Sequence, residues 1–176
     1  MPRLFFAIPV PETNAAMLFG LLRHRVAATV RLTEPMYQHI TVHFLGSMPE
    51  QQLPELCERA ALLCEKQEAF TLSFTHLTYV PSAHRPQMIW LQGEPHDAFN
   101  HLVAAFRTQF PTGEQRPPLP HVTLARMKTL RRPPMPLPAI KPIHVEVHEI
   151  HLWQSLTLPQ GARYEPLHRW PLLSSP

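Results

Sequence analysis

Apolar residues along the chain recur with two different periods, and the changes between them mark out strands and helices. Leu4 to Val10 is a continuous apolar run closed by Pro9 and Pro11, which reads as a strand. From Pro11 onward, Ala15, Leu18, Phe19, Leu22 and Val26 recur at helical spacing. His39 to Gly46 returns to strict alternation, with Ile40, Val42 and Phe44 on one face and His39, Thr41 and His43 on the other. Ser47-x-x-Glu50 offers a capping box for a second helix, whose face is Leu53, Leu56, Cys57, Ala60 and Cys64, and Pro54 offers an alternative first turn. Phe70, Leu72 and Phe74 alternate in a strand running to about Val80, and Met88–Leu91 follows as another. Phe99, Leu102, Val103, Phe106 and Phe110 lie on one face of a third helix. A Pro-rich loop leads into a strand at His121, and a second, from Arg132 to Pro142, leaves it. Three strands close the chain: Ile143–Val147, Ile150–Ser155 and Tyr164–Leu172, with a shift of apolar parity after Val147 that predicts a bulge or break.

A repeat runs through this pattern. Strand, helix and strand occur as Phe5, Phe19 and His39, and again as Ile89, Phe106 and His121. Two similar lobes follow, each contributing one His and one Thr to a shared cleft, because His121-Val122-Thr123 repeats His39-Ile40-Thr41. Residues two apart on a strand point the same way, roughly 6–7 Å apart, so an imidazole and a hydroxyl reach one cleft while the intervening side chain enters a core. Two such imidazoles make an acid–base pair, and two hydroxyls hold an anion between them. The triplet by itself is weak, since 12 His and 12 Thr in 176 residues give about 0.8 by chance. A third copy, His76-Leu77-Thr78, lies outside the repeat and is expected at the solvent face or cleft rim, without a catalytic role.

Composition narrows the class. A length of 176 residues suits one domain or two small lobes sharing an interface. No apolar run approaches the ~18–20 residues of a membrane span, and the N-terminus lacks the pattern of a signal peptide, so a cytoplasmic location is expected. Cys57 and Cys64 are too far apart along one helix to bridge and read as structural thiols. Net charge is +3, but residues 112–141 alone carry +5, from Arg116, Arg126, Lys128, Arg131, Arg132 and Lys141 against Glu114. Such a segment suits a polyanion, or serves as a solvated loop; composition weights the two equally.

RLFFAIPVPE, HITVHFLG, RPQMIWLQG, HVTLAR and GARYEPLHRW resemble, in order and at similar spacings, the LigT-like RNA 2′,3′-cyclic phosphodiesterases, also called 2′-5′ RNA ligases, of the two-histidine (2H) phosphoesterases. The resemblance implies a bilobal α+β fold, with antiparallel sheets lining a central cleft and helices outside, as a single domain over residues 1–176 made of two intertwined lobes. It implies His39 and His121 as catalytic residues, Thr41, Thr123 and Arg126 as phosphate ligands, and Phe6 near the nucleotide. Tyr164, Arg169 and Trp170 match positions with a structural role. His43 departs from the family and is expected as an exposed or rim side chain.

The implied reaction opens a terminal 2′,3′-cyclic phosphate to a 2′-phosphate, with no cofactor and no metal, alongside weak, reversible 2′-5′ ligation. One imidazole takes the water proton and the other protonates the leaving O3′; His39 is assigned as acid and His121 as base. The expected partners are RNA ends or nucleotides bearing a cyclic phosphate, with no membrane, and the protein is expected to be a monomer. Two other classes compete: a nucleotide-binding module that kept the cleft, and a His-metal hydrolase. Both complete His-x-Thr motifs argue against the first, and the spacing of His144, His148 and His151 against a zincin-type site.

Overall fold

The computed structural model describes residues 2–128, 133, 135–158 and 161–174. Its strands are β1 (Arg3–Pro9), β2 (Val30–Leu32), β3 (His39–Ser47), β4 (Phe70–Val80), β5 (Met88–Gly93), β6 (His121–Met127), β7 (Ile143–Val147), β8 (Glu149–Leu158) and β9 (Gly161–Pro171). The helices are α1 (Glu12–Arg23), α2 (Leu53–Cys64) and α3 (Asp97–Gln109). The nine strands form one sheet in the order β7-β4-β5-β6-β3-β1-β8-β9, with β2 paired to β6. All its strand pairs are antiparallel. The α+β class expected for the family therefore holds.

The sheet has two halves with matching plans. In one, β1 lies between β3 and β8, and in the other β5 lies between β6 and β4. A helix follows each central strand, α1 after β1 and α3 after β5. The halves meet where Ile40 of β3 pairs with Val122 of β6.

The helices form as their spacing requires. Ala15, Leu18 and Leu22 of α1, Leu56, Ala60 and Cys64 of α2, and Phe99, Leu102, Val103 and Phe106 of α3 are buried. These faces join one large core with Leu4, Phe6, Ile8, Ile40, Val42, Val122 and Leu124 of the sheet. A small second cluster, Phe5, Ala7 and Trp153 with Tyr164 against it, sits apart. β1 is thus apolar on both faces, which is why its sequence shows no alternation. Burial pushes the Cys64 thiol up to about 12 and the Cys57 thiol up as well, as inert structural thiols require. Among the described residues no helix is long and apolar enough to cross a membrane.

One local expectation changes and another is met. Ser47 does not cap α2: Glu50–Gln52 forms a 3-10 turn, and the helix starts at Leu53 with Pro54 in its first turn. The parity shift after Val147 is the expected break: β7, at one edge, pairs with β4, and β8, on the far side of the sheet, pairs with β1. The three-residue β2 is too short for a periodic signal.

Candidate active site

Each His-x-Thr motif begins its strand, and each strand then bulges at the same point. Thr41 faces Ala7 and His43 faces Phe6, so Val42 is the extra residue of β3. Thr123 faces Trp90 and Ala125 faces Ile89, which makes Leu124 the extra residue of β6. A bulge places two consecutive side chains on one face and reverses the alternation beyond it. Val42 and His43 are accordingly both buried, as are Leu124 and Ala125. The next residue returns to the His-Thr face, and in these strands it is Phe44 and Arg126, both exposed. One inserted residue therefore brings Arg126 beside His121 and Thr123, where strict alternation would turn it away.

His43 is corrected by the same geometry. Expected at the rim, it is 2 % exposed and lies on the core face. Its Nε2–H donates to the Phe110 carbonyl at 2.6 Å, and burial holds it neutral by lowering its pKa. Phe6, expected near the nucleotide, is also corrected. It is fully buried on the core face of β1, with its ring 4.6 Å from Phe106 and 5.3 Å from Phe110. Its neighbour Phe5 points the other way and packs 4.9 Å from the His39 ring. In a run of LFFAI, no polar residue marks which face is which.

The two histidines are held alike. His39 Nδ1–H donates to the Tyr37 carbonyl at 2.7 Å, and His121 Nδ1–H to the Leu119 carbonyl at 2.8 Å. In each case the carbonyl two residues back fixes the tautomer and leaves Nε2 as the atom that gains or loses a proton. Continuing the Ile40–Val122 register by one residue each way sets His39 opposite Thr123 and Thr41 opposite His121. Cross-strand neighbours of this kind have Cβ atoms about 4.5–5.5 Å apart. Each imidazole thus faces the other half's hydroxyl.

Their surroundings differ. His39 is enclosed by Phe5, Trp153 and Tyr164, the latter two rings at 5.0 and 5.1 Å. His121 stacks on Trp90 at 3.7 Å. Burial lowers the His39 pKa to about 4, against the Tyr37 carbonyl, with the charges of His121 and Arg126 adding to the depression. Burial lowers His121 as well, with Arg116 and Arg126 contributing. Arg126 acts on both imidazoles and His121 on His39, so the three share one electrostatic neighbourhood.

Sequence reasoning missed Arg31. It pairs with Arg126 across β2 and β6, so the two side chains share a face. Only the short β2 puts it there, and no motif marks it. Elsewhere in the basic segment, Arg116 is engaged by Glu114 at 2.6 Å. Arg131 and Arg132 lie outside the described residues. The third triplet sits where expected: His76 is exposed, while Leu77 and Tyr79 are buried. Gln92 faces both His76 and His121, so His76 is on the cleft face but two strands out, about 10 Å away. Tyr164 belongs to the wall around His39, and Trp170 is buried against Phe6 at 6.0 Å. Among the described residues no three His, Cys, Asp or Glu side chains converge as a metal nest.

A family model described as the 2′-5′ RNA ligase superfamily matches residues 25–157. An RNA 2′,3′-cyclic phosphodiesterase of Thermus thermophilus is 26% identical over 97% of this chain and 90% of its own. Another, of Aeropyrum pernix, is 29% identical over 88% of this chain and 94% of its own. The crystal structure of E. coli LigT complexed with 3′-AMP superposes with a TM-score of 0.81 at 26% identity, covering 98% of this chain and 99% of that one.

Proposed function

The chain belongs to the 2′-5′ RNA ligase superfamily, and from that premise we propose that it is an RNA 2′,3′-cyclic phosphodiesterase working by metal-free two-histidine acid–base catalysis. The observation that carries this reading is the pairing of two identically held histidines across the Ile40–Val122 step. The two halves of the sheet act as one domain over residues 1–176, since each supplies only one imidazole.

In the reaction, water attacks phosphorus in line with the departing ribose O3′. One Nε2 accepts the water proton as the new P–O bond forms. The other Nε2–H donates to O3′ as its bond to phosphorus breaks, leaving a 2′-phosphate. Thr41 and Thr123 donate hydrogen bonds to the non-bridging oxygens, and Arg126 adds a charge-assisted one. Arg31 supplies further positive charge on the same face. With a 5′-hydroxyl in place of water, the same geometry forms a 2′-5′ linkage, the origin of a weak ligase activity.

The depressed pKa values bear on which histidine does which job. His39 is held down to about 4, the larger of the two depressions. Burial thus penalises the charged form of His39 more than that of His121. This supports His121 as acid and His39 as base, the reverse of the order assigned from the sequence. The arriving phosphodiester anion favours the protonated form and draws that proton in.

The test is direct. The protein is incubated with an oligonucleotide ending in a 2′,3′-cyclic phosphate, and the monoester formed is identified. Conversion to the 2′-phosphate in EDTA supports the reading; no conversion overturns it.

A further inference from the structure

The two histidines have matching backbone hydrogen bonds but different aromatic neighbours. Trp90 lies flat on His121, with ring centroids 3.7 Å apart and planes 20° from parallel. No ring lies that way on His39: Phe5 and Trp153 are tilted at 39° and 54°, and Tyr164 stands at 83°. The difference is built into the strands. Trp90 of β5 pairs with Thr123, and two residues further along Gln92 pairs with His121. Trp90 is therefore the diagonal neighbour of His121, a separation that a long aromatic side chain spans. Trp90 Nε1 is buried and has no hydrogen-bond partner among the described residues, so the contact is made by the ring face.

An indole face is electron-rich, and it attracts a cation laid over it more than a neutral ring. The charged groups around His121 work the other way. Burial lowers its pKa, as do Arg116 of the preceding loop and Arg126 of its own strand. A proton on His39 of β3 is likewise repelled by one on His121. β5 brings the uncharged Gln92 beside it, with His76 of β4 beyond. Among the described residues no carboxylate forms an ion pair with His121. The Leu119 carbonyl and the Trp90 face are what favour its imidazolium.

Resting on the cyclic-phosphodiesterase reading, we infer that Trp90 is a positioning residue whose ring face holds the proton of the catalytic pair on His121, making it the group that protonates the leaving O3′. As the bond from phosphorus to O3′ breaks, the His121 Nε2–H passes to O3′. The proton of the attacking water goes to His39 Nε2, which no ring face favours in its charged form. The indole thus gives two identically tethered histidines different roles.

The test has two arms, run on the full chain. Site-specific replacement of Trp90 by tryptophans with increasing ring fluorination nearly keeps its shape and drains the ring face. Side-chain NMR titration without substrate should then show the His121 pKa falling stepwise, with His39 moving less; His121→Gln identifies the signal. Trp90→Leu should lower it by about half a unit to 1.5 units, and Trp90→Phe by less. In the kinetic arm, Trp90→Leu should slow a cyclic mononucleotide about 3- to 30-fold on the alkaline side of the profile, shrinking toward pH 5. A substrate with sulfur in place of O3′ should lose little. A His121 pKa that ignores fluorination, or a rate loss equal at every pH and for both leaving atoms, would overturn the assignment and leave Trp90 as packing. A fluorine-dependent His121 pKa, with no turnover of any cyclic phosphate by wild type, would keep the stack and overturn the reaction instead.

Discussion

Ile40 pairs with Val122, and that antiparallel step brings the two His-x-Thr motifs of the chain face to face. Neither half of the sheet holds a complete site. By that register each imidazole has a hydroxyl of the other half as its cross-strand neighbour, so a phosphate bound at both threonines would lie between both histidines.

Replacing either histidine should therefore be severe. His39→Ala and His121→Ala are each expected to lower turnover by at least about 100-fold, with a combined loss well short of multiplicative because both act on one step. A substrate with sulfur in place of O3′ needs no proton on departure. It should restore turnover in His121→Ala and not in His39→Ala. Rescue of His39→Ala alone would return the roles to the order assigned from the sequence.

Arg126→Ala should slow opening of a cyclic mononucleotide by an amount typical of a charged hydrogen bond, about 1.5–3 kcal/mol. Arg31→Ala should cost less, and more of its effect should vanish at high salt. Arg131 and Arg132 are expected to matter only for longer RNA, through salt-dependent binding. A cyclic mononucleotide turned over equally slowly by Arg131→Ala and Arg126→Ala would refute this division.

The depressed histidines set the pH behaviour. The proposed mechanism needs one proton on the pair, and burial lowers both His39 and His121 from the ordinary 6.5. Raising pH from about 6.5 to 8.5 should therefore lower kcat/KM, approaching tenfold per unit, while kcat falls later because bound phosphate favours the protonated form. Stability follows the opposite direction. The unfolded chain binds protons near pH 6.5 that folded His39 takes up only near 4. Stability is thus full above about 6.5 and declines as pH falls toward 4, and His39→Gln should flatten that decline. Urea midpoints across this range, and a pH–rate series, check both signs.

His43 and His76 should separate packing from chemistry. His43→Ala leaves the buried Phe110 carbonyl without its donor and is expected to cost about 1–3 kcal/mol in urea unfolding. His76→Ala, at an exposed position, should stay within roughly 0.5 kcal/mol and keep near-normal turnover. A large turnover loss in His76→Ala would reopen a three-histidine site.

The sequence carried the period of each long element, and with it the three helices, the paired His-x-Thr strands and the two-lobed plan. It did not carry the side on which residues past Val42 and Leu124 emerge, because a bulge adds one residue without altering the letters. His43 and Phe44 were therefore placed on the wrong faces, and the position of Arg126 was legible only through its resemblance to a family residue. Phe5 and Phe6 could not be told apart, since both faces of β1 are apolar. Arg31 was hidden because a three-residue strand has no period to read.

The central claim is that the paired histidines open a cyclic phosphate without a metal, and phosphorus NMR of the product tests it most directly. An oligonucleotide ending in a 2′,3′-cyclic phosphate, incubated with the protein in millimolar EDTA, should show the cyclic resonance replaced by that of a 2′-monoester. His39→Ala and His121→Ala should leave the cyclic resonance in place. An unchanged cyclic resonance with wild type, a 3′-monoester product, or activity lost in EDTA and restored by Zn²⁺ or Mn²⁺ would contradict the account.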